Sequence, residues 1–199
     1  MVRHGESVAN REGRFTRDGD EPLTALGEEQ ARERGRAIAR VFEPSALYTS
    51  PFRRALQSAE EIGRALGLVP RVVDDLHEQS FGVFRGRPYA DFYEAHPAAS
   101  GVGRWGVCPE GGEALRNVAR RAGRALDGIA RAHPGEEVVV VSHGGVMAAL
   151  RGYVRSDYSE PSVRTGNANG YVLTLNDQGY SEPIGLDLEE SLIQLRASF

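Results

Sequence analysis

Apolar residues recur at intervals of three and four positions between residues 111 and 132. The members of this stripe are Leu115, Val118, Ala122, Leu126 and Ile129. Such spacing places side chains on one face of a helix. It therefore predicts an amphipathic helix over residues 111–132, with its arginines on the face opposite the stripe.

Two more helices are predicted from the same spacing. The first, over residues 24–42, begins with Thr24 as its N-cap. Its expected buried residues are Leu26, Ala31, Ile38 and Val41. The second begins with Ser50 as its N-cap and Pro51 in its first turn, and it ends at Gly67. Its expected buried residues are Ala55, Ala59, Ile62 and Leu66.

Short apolar runs between the helices predict strands. They are Ala46–Thr49, Arg71–Val73, Val138–Val141 and Tyr171–Leu175. Four consecutive valines are typical of a central parallel strand that is covered on both faces. Strands that alternate with helices predict an α/β fold, a three-layer sandwich with a mostly parallel central sheet and helices on both faces. We expect a single domain over residues 1–199, with a small helical and loop insertion at about residues 87–110.

The two ends of the chain leave questions open. Only Met1 and Val2 precede Arg3, whereas a buried strand needs roughly 4–8 apolar residues. A gap in the middle of a sheet would leave backbone groups unpaired, so we expect the natural start to lie upstream of Met1. The role of residues 186–199 is left open.

Composition excludes several classes of function. A net charge of −4 argues against nucleic acid or an anionic membrane as a partner, and no apolar run reaches the roughly 18 residues of a membrane span. All 24 basic residues are arginine, which excludes Schiff-base and P-loop lysine chemistry. The one cysteine, Cys108, rules out an internal disulfide and favours the cytoplasm. No cofactor is expected.

Four polar residues come soon after predicted strands. They are His4, Arg54, Glu78 and His143. Ligands of parallel α/β sheets bind beyond the carboxyl ends of the strands, so we expect these side chains to share one edge with Arg3. Arginine forks match phosphoryl oxygens, which indicates an oxyanion site. A metal site is disfavoured, because the arginines would repel a cation and no Cys or Asp completes a ligand set.

Four motifs, in order along the chain, resemble those of the histidine phosphatase superfamily, the phosphoglycerate-mutase-like proteins. They are Arg3-His4-Gly5-Glu6-Ser7 with Asn10, Ser50-Pro51-x-x-Arg54-Ala55-x-Gln57-Ser58-Ala59, Leu76-x-Glu78-x-x-x-Gly82, and Ser142-His143-Gly144-Gly145. Four ordered motifs spread over most of the chain are a specific signal, whereas the first alone would be weak.

The resemblance implies a role for each matching residue. His4 would be the nucleophile that becomes a phosphohistidine, and Glu78 would protonate the leaving alcohol and then activate water. Arg3, Arg54 and His143 would hold the phosphoryl oxygens and stabilise the charge of the transition state. The expected substrate-binding residues are Arg3, Asn10, Thr16, Arg54 and His143.

Within this family the sequence favours a phosphatase over a mutase. The segment between Gly86 and Gly111 is short, whereas mutases carry a longer insertion, and Arg17 replaces the glycine that mutases show after Thr16. We expect hydrolysis of a small phosphomonoester, and Arg14 and Arg17 would favour a second negative charge on it. A mutase and an inactive phosphoester- or phosphoprotein-binding relative are the alternatives. The substrate is unknown, and a homodimer is left open.

Overall fold

The computed structural model describes residues 1–159 and 165–185, so the tail at 186–199 lies outside the described residues. The helices are α1 (Val8–Arg11), α2 (Ala25–Val41), α3 (Arg53–Leu66), α4 (Tyr89–Ala95), α5 (Leu115–Ala132) and α6 (Gly144–Arg155). The strands are β1 (Val2–Arg3), β2 (Ala46–Thr49), β3 (Arg71–Val72), β4 (Val138–Ser142), β5 (Tyr171–Val172), β6 (Leu175–Asn176), β7 (Gly179–Tyr180) and β8 (Ile184–Gly185).

The central sheet has the strand order β1-β4-β2-β3, and every neighbouring pair is parallel. The carboxyl ends of its strands therefore lie at one edge. There the backbone N–H of His4 donates to the Ser142 carbonyl at 3.0 Å, and that of Ser50 donates to the Val141 carbonyl at 3.1 Å. The register thus places the residues that follow β1, β2 and β4 beside one another.

Helices cover both faces of this sheet. Val139 and Val141 of β4 share a core cluster with Ile62 of α3, whereas Val140 shares another with Ile129 of α5. Successive side chains of a strand point to opposite faces, so β4 is covered on both sides. The predicted three-layer α/β sandwich with a parallel sheet is confirmed.

β1 is short, yet its backbone is paired on both sides. Besides its parallel ladder with β4, the Arg3 N–H donates to the Asn169 carbonyl at 2.8 Å, and the Tyr171 N–H donates to the Met1 carbonyl at 3.0 Å. Val2 is only 1% exposed. The segment 169–171 thus supplies partners for the Met1 and Arg3 backbone groups, and the expectation about the natural start stays a prediction.

Two expectations about the helices need correction. α3 begins at Arg53 with Phe52 as its N-cap, two residues after the predicted Ser50-Pro51 start. Ser50 is fully buried and its hydroxyl faces the strand edge, so it does not cap the helix. Leu26 was expected in the core, but it is 55% exposed. Among the helices of the described residues, none has both the length and the apolarity to cross a bilayer.

The insertion at residues 87–110 contains α4 and two short 3₁₀ turns, Pro97–Ser100 and Val102–Trp105. Its Phe92 packs with Phe15 and Phe84, and the Phe15 and Phe92 ring centroids lie 5.7 Å apart. Phe15 belongs to the loop that leads from α1 to α2. The insertion is therefore packed on the segment that carries Thr16.

The close contact of α2 with α3 yields a prediction. A Cβ at Gly35 would lie 2.9 Å from Ile62 Cα and 3.1 Å from Ala65 Cβ, closer than van der Waals contact allows. Gly35→Ala should force the two helices apart. We expect it to lower the free energy of unfolding by about 1–3 kcal/mol, measured by urea denaturation.

Gly128→Ala in α5 is the matched control. A Cβ at this exposed position has no neighbour within 4 Å, so the variant should gain about 1 kcal/mol of helix propensity. Equal stabilisation by both alanines would contradict the tight α2–α3 contact.

Candidate active site

His4 lies at the carboxyl end of β1 and is 2% exposed. Its Nδ1 lies 2.7 Å from the Gly5 carbonyl, to which only a protonated Nδ1 can donate. Arg54 Nε donates to His4 Nε2 at 3.1 Å, so Nε2 carries a lone pair. Burial, together with the charges of Arg54 and Arg3, holds the pKa of His4 well below its ordinary value of 6.5. The imidazole is therefore neutral, and its reactive nitrogen faces a guanidinium.

His143 is the second imidazole at this edge, and it precedes α6. Its ring centroid lies 5.2 Å from that of His4, and its Nε2 lies 2.7 Å from Ser50 Oγ. The Ser50 oxygen accepts from the Phe52 N–H, and we assign its own proton to His143 Nε2, the acceptor within hydrogen-bond distance. Burial, with Arg54 next in size, also lowers the pKa of His143 well below 6.5.

This hydrogen-bond arrangement leaves His143 with a donor that has no partner in the part of the chain that the structure describes. With Nε2 accepting from Ser50, the proton of His143 sits on Nδ1. That atom is buried and has no hydrogen-bond partner among the described residues. A buried N–H without a partner is costly, so the site is suited to a ligand that brings an acceptor.

Arg54 is the charged centre of the site. It is 2% exposed, and burial lowers its pKa to about 10, so it remains a cation at neutral pH. Its Nε binds His4, whereas its Nη1 is buried without a partner in the described part of the chain. Its carbon Cζ lies 5.2 Å from the Phe52 ring centroid. A buried cation with an unpaired N–H requires an anion.

Arg3 approaches the same edge from β1. Its Nη1 donates to the Thr165 carbonyl at 2.7 Å, which fixes the guanidinium. A Cβ at Gly144 would lie 3.3 Å from Arg3 Nε, so glycine at this position lets the guanidinium lie against the start of α6. The glycine of this motif therefore provides space for a cation.

Glu78 stands at the N-terminus of α6. Its Oε1 accepts from the Gln79 N–H at 2.8 Å, and its Oε2 accepts from the Gly145 N–H at 3.3 Å. A side chain at Gly145 would collide with this carboxylate. The free N–H groups of a helix N-terminus favour a carboxylate there. Glu78 is thus fixed at the edge that holds both histidines.

Asn10 and Thr16 are placed differently from these five residues. The Asn10 amide group donates to Tyr89 Oη at 3.1 Å and accepts from Asn167 Nδ2 at 2.9 Å. It thereby connects α1 to the insertion. Thr16 is half-buried and follows Phe15, whose ring stacks on Phe81 at 3.9 Å. Its part in binding substrate stays a prediction.

The sequence analysis missed two residues that hold the histidines. Ser50 was assigned to a helix cap, and only the sheet register shows that it bonds His143. Asn167 is far from His4 in the chain, and its Nδ2 donates to the His4 and Gly5 carbonyls at 3.3 and 3.1 Å. No local pattern marks either role, since both depend on contacts between distant segments.

The chain resembles known phosphatases in sequence and in structure. The model of the histidine phosphatase superfamily (branch 1) matches residues 1–182. The metal-independent phosphoserine phosphatase of Arabidopsis thaliana is 32% identical over 185 residues, covering 89% of this chain and 76% of that protein. The glucosyl-3-phosphoglycerate phosphatase of Mycobacterium tuberculosis is 31% identical over 162 residues, covering 75% and 71%. A mycobacterial glucosyl-3-phosphoglycerate phosphatase solved with VO3 has a TM-score of 0.79 at 25% identity, covering 94% of this chain and 96% of that one.

The lowered pKa values predict how stability depends on pH. Below pH 6.5 the unfolded chain protonates both histidines, whereas the folded protein keeps them neutral. Stability is therefore full above this pH and is lost as the pH falls. Each histidine should contribute up to about 2 kcal/mol of this loss between pH 7 and pH 5.

The measurement compares wild type with a double variant, His4→Asn with His143→Asn. Urea denaturation at several pH values should show a weaker acid dependence in the double variant, by about 2–4 kcal/mol between pH 7 and pH 5. If the free energy of unfolding falls equally with pH in the two proteins, the buried imidazoles are not neutral in the folded state.

Proposed function

The chain belongs to branch 1 of the histidine phosphatase superfamily, and from this premise we propose that His4 carries the phosphoryl group while a small phosphomonoester is hydrolysed. The family resemblance expected from the four motifs is confirmed, and the protein is a phosphoric monoester hydrolase. The assignment of residues rests on one observation. A neutral imidazole shares a buried pocket with two N–H groups, on Arg54 and His143, that have no partner among the described residues.

In the first step, His4 Nε2 attacks phosphorus and the bond to the ester oxygen breaks. Because Nδ1 holds the proton, Nε2 keeps its lone pair, and the attack exchanges its hydrogen bond from Arg54 Nε for the bond to phosphorus. The negative charge of the bound ester favours a proton on Glu78, which enters this step as the carboxylic acid and gives its proton to the departing alkoxide. The products are a free alcohol and a phosphohistidine.

The charge of the transferring group is matched by the residues around it. Arg54 Nη1 and His143 Nδ1 supply donors, and Arg3 adds a second guanidinium. Because these groups are already in place, they stabilise the transition state without rearrangement. The neutral state of both imidazoles keeps the number of buried cations low before substrate arrives.

In the second step, the Glu78 carboxylate takes a proton from water, whose oxygen attacks the phosphohistidine. The bond from phosphorus to His4 Nε2 breaks, and inorganic phosphate leaves. Glu78 is again a carboxylic acid, ready for the next ester. If a second alcohol attacked in place of water, the same residues would perform mutase chemistry.

Two arginines of the segment that carries Thr16 bear on the substrate class. The guanidinium of Arg14 is paired with Glu12 and Glu21, at 2.6 Å in each case, so it is already neutralised. Arg17 is exposed and lies against Gly86. We propose that Arg17 receives a second anionic group of the substrate. The two phosphatase relatives support this class, because phosphoserine and glucosyl-3-phosphoglycerate each join a carboxylate to a phosphomonoester.

We also propose that the enzyme works in the cytoplasm. Its one cysteine, Cys108, is an exposed free thiol, which fits a reducing compartment.

The role of His4 is tested with p-nitrophenyl phosphate. His4→Ala should lower kcat by about 10³-fold or more, because the attacking nitrogen is lost. His133→Ala is the control, since this histidine lies between α5 and β4 at the opposite edge of the sheet. Rapid quenching of wild type should trap a protein heavier by one phosphoryl group. Equal rates for wild type and His4→Ala would show that His4 takes no part in the reaction.

The role of Arg17 is tested with a matched pair of substrates. O-phosphoserine and phosphoethanolamine differ by the carboxylate, so Arg17→Gln should raise KM for phosphoserine by about 10-fold and leave phosphoethanolamine unchanged. The same assay with 3-phosphoglycerate separates the reaction types. Isomerised phosphoglycerate without free phosphate would favour the mutase alternative.

A further inference from the structure

The sequence pattern predicted that the arginines of α5 lie on the face opposite its apolar stripe. Arg121 does not. It is only 8% exposed, and its guanidinium is turned toward the segment that carries Glu78. The position follows Val118 by three residues, so it belongs to the buried stripe of the helix. A buried arginine is retained only when its donors are satisfied, which makes its partners informative.

The partners of Arg121 are the backbone carbonyls around the acid. Its Nη1 donates to the carbonyls of Asp75 and His77 at 2.6 and 2.8 Å, and its Nη2 donates to the Glu78 carbonyl at 3.3 Å. Three carbonyls of one short segment thus converge on a single planar group. Lysine could not reproduce this arrangement, because its three donors radiate from one atom.

Glu113 completes the arrangement from the other side. Its carboxylate pairs with Arg121 through both oxygens, at 3.0 Å to Nε and 2.9 Å to Nη2. Its backbone N–H donates to the Ser80 carbonyl at 2.8 Å, and its carbonyl accepts from Gln79 Nε2 at 2.8 Å. Residues 75–80 are therefore bound at both ends to the Glu113–Arg121 pair.

This segment has little regular structure of its own. A 3₁₀ turn ends at Leu76, and Glu78 follows in irregular backbone whose direction depends on outside contacts. The Glu78 carboxylate must meet both the Gly145 N–H and the ester oxygen, so a small rotation of this backbone would misplace it. Geometric errors of this kind weaken catalysis, since a misplacement of about 1 Å can cost on the order of 10²-fold in rate.

We propose that Arg121, held by Glu113, is a positioning residue that aims Glu78 at the leaving oxygen. The inference rests on the proposed role of Glu78 as the acid. It predicts a loss that depends on the leaving group. A phenolate is basic and needs a proton to depart, whereas p-nitrophenolate is a stable anion that leaves without one.

The experiment compares phenyl phosphate with p-nitrophenyl phosphate, using kcat/KM because it reports the first chemical step. Arg121→Lys retains the positive charge opposite Glu113 but loses the planar guanidinium that binds the three carbonyls. It should lower kcat/KM for phenyl phosphate by about 30-fold and for p-nitrophenyl phosphate by less than about 3-fold. Arg120→Lys, at the exposed neighbouring position, should change neither value.

Glu78→Gln and thermal melting complete the design. Glu78→Gln should show the same dependence on the leaving group, with a larger loss for phenyl phosphate. Suppose that Glu78→Gln shows this dependence on the leaving group, but Arg121→Lys loses activity equally on both esters or loses none. The positioning role of Arg121 is then overturned, while the acid role of Glu78 stands. If Glu78→Gln does not discriminate, the acid role fails and the inference fails with it. Should Arg121→Lys melt at a much lower temperature, Glu113→Gln replaces it, with the same expected ratio and the same overturning result.

Discussion

The site depends on a buried arginine that donates to an uncharged histidine. Arg54 Nε meets His4 Nε2 at 3.1 Å in a pocket where each residue is about 2% exposed. Two cations could not share this space at acceptable cost, so burial and the guanidinium together keep the imidazole neutral. The same interaction directs the Nε2 lone pair at the guanidinium that would bind the phosphoryl group. The proposed nucleophile and its electrostatic stabiliser are thus arranged by a single contact.

The fold makes this contact possible because it brings separate segments to one edge of a parallel sheet. The short strand β1 would be a weak support for His4 by itself. It is paired by β4 on one side and by Asn169 and Tyr171 on the other. Asn167 adds donors to the carbonyls of His4 and Gly5. His4 therefore sits on backbone that is constrained from both directions.

Glu78 is supported by a different layer of the molecule. Glu78 receives N–H groups from its own loop and from the start of α6, while Arg121 of α5 binds the backbone behind it. Glycine at residue 145 leaves room for the carboxylate. His4 and Glu78 are positioned by largely different contacts, which are joined at Ser142: its carbonyl accepts from the His4 N–H, and its hydroxyl donates to the Leu76 carbonyl.

The sequence by itself determined the features that depend on local periodicity and on motif order. The stripe from Leu115 to Ile129 predicted α5, the valines of β4 predicted a strand covered on both faces, and four ordered motifs identified the family. Only the tertiary structure decided which polar residues meet. Ser50 is read locally as a helix cap and Arg121 as a solvent-facing arginine. Each has another role because its partners, His143 and the Glu78 backbone, lie far away in the chain. Periodicity reports which face of an element is apolar, whereas hydrogen-bond partners depend on how elements are packed against one another.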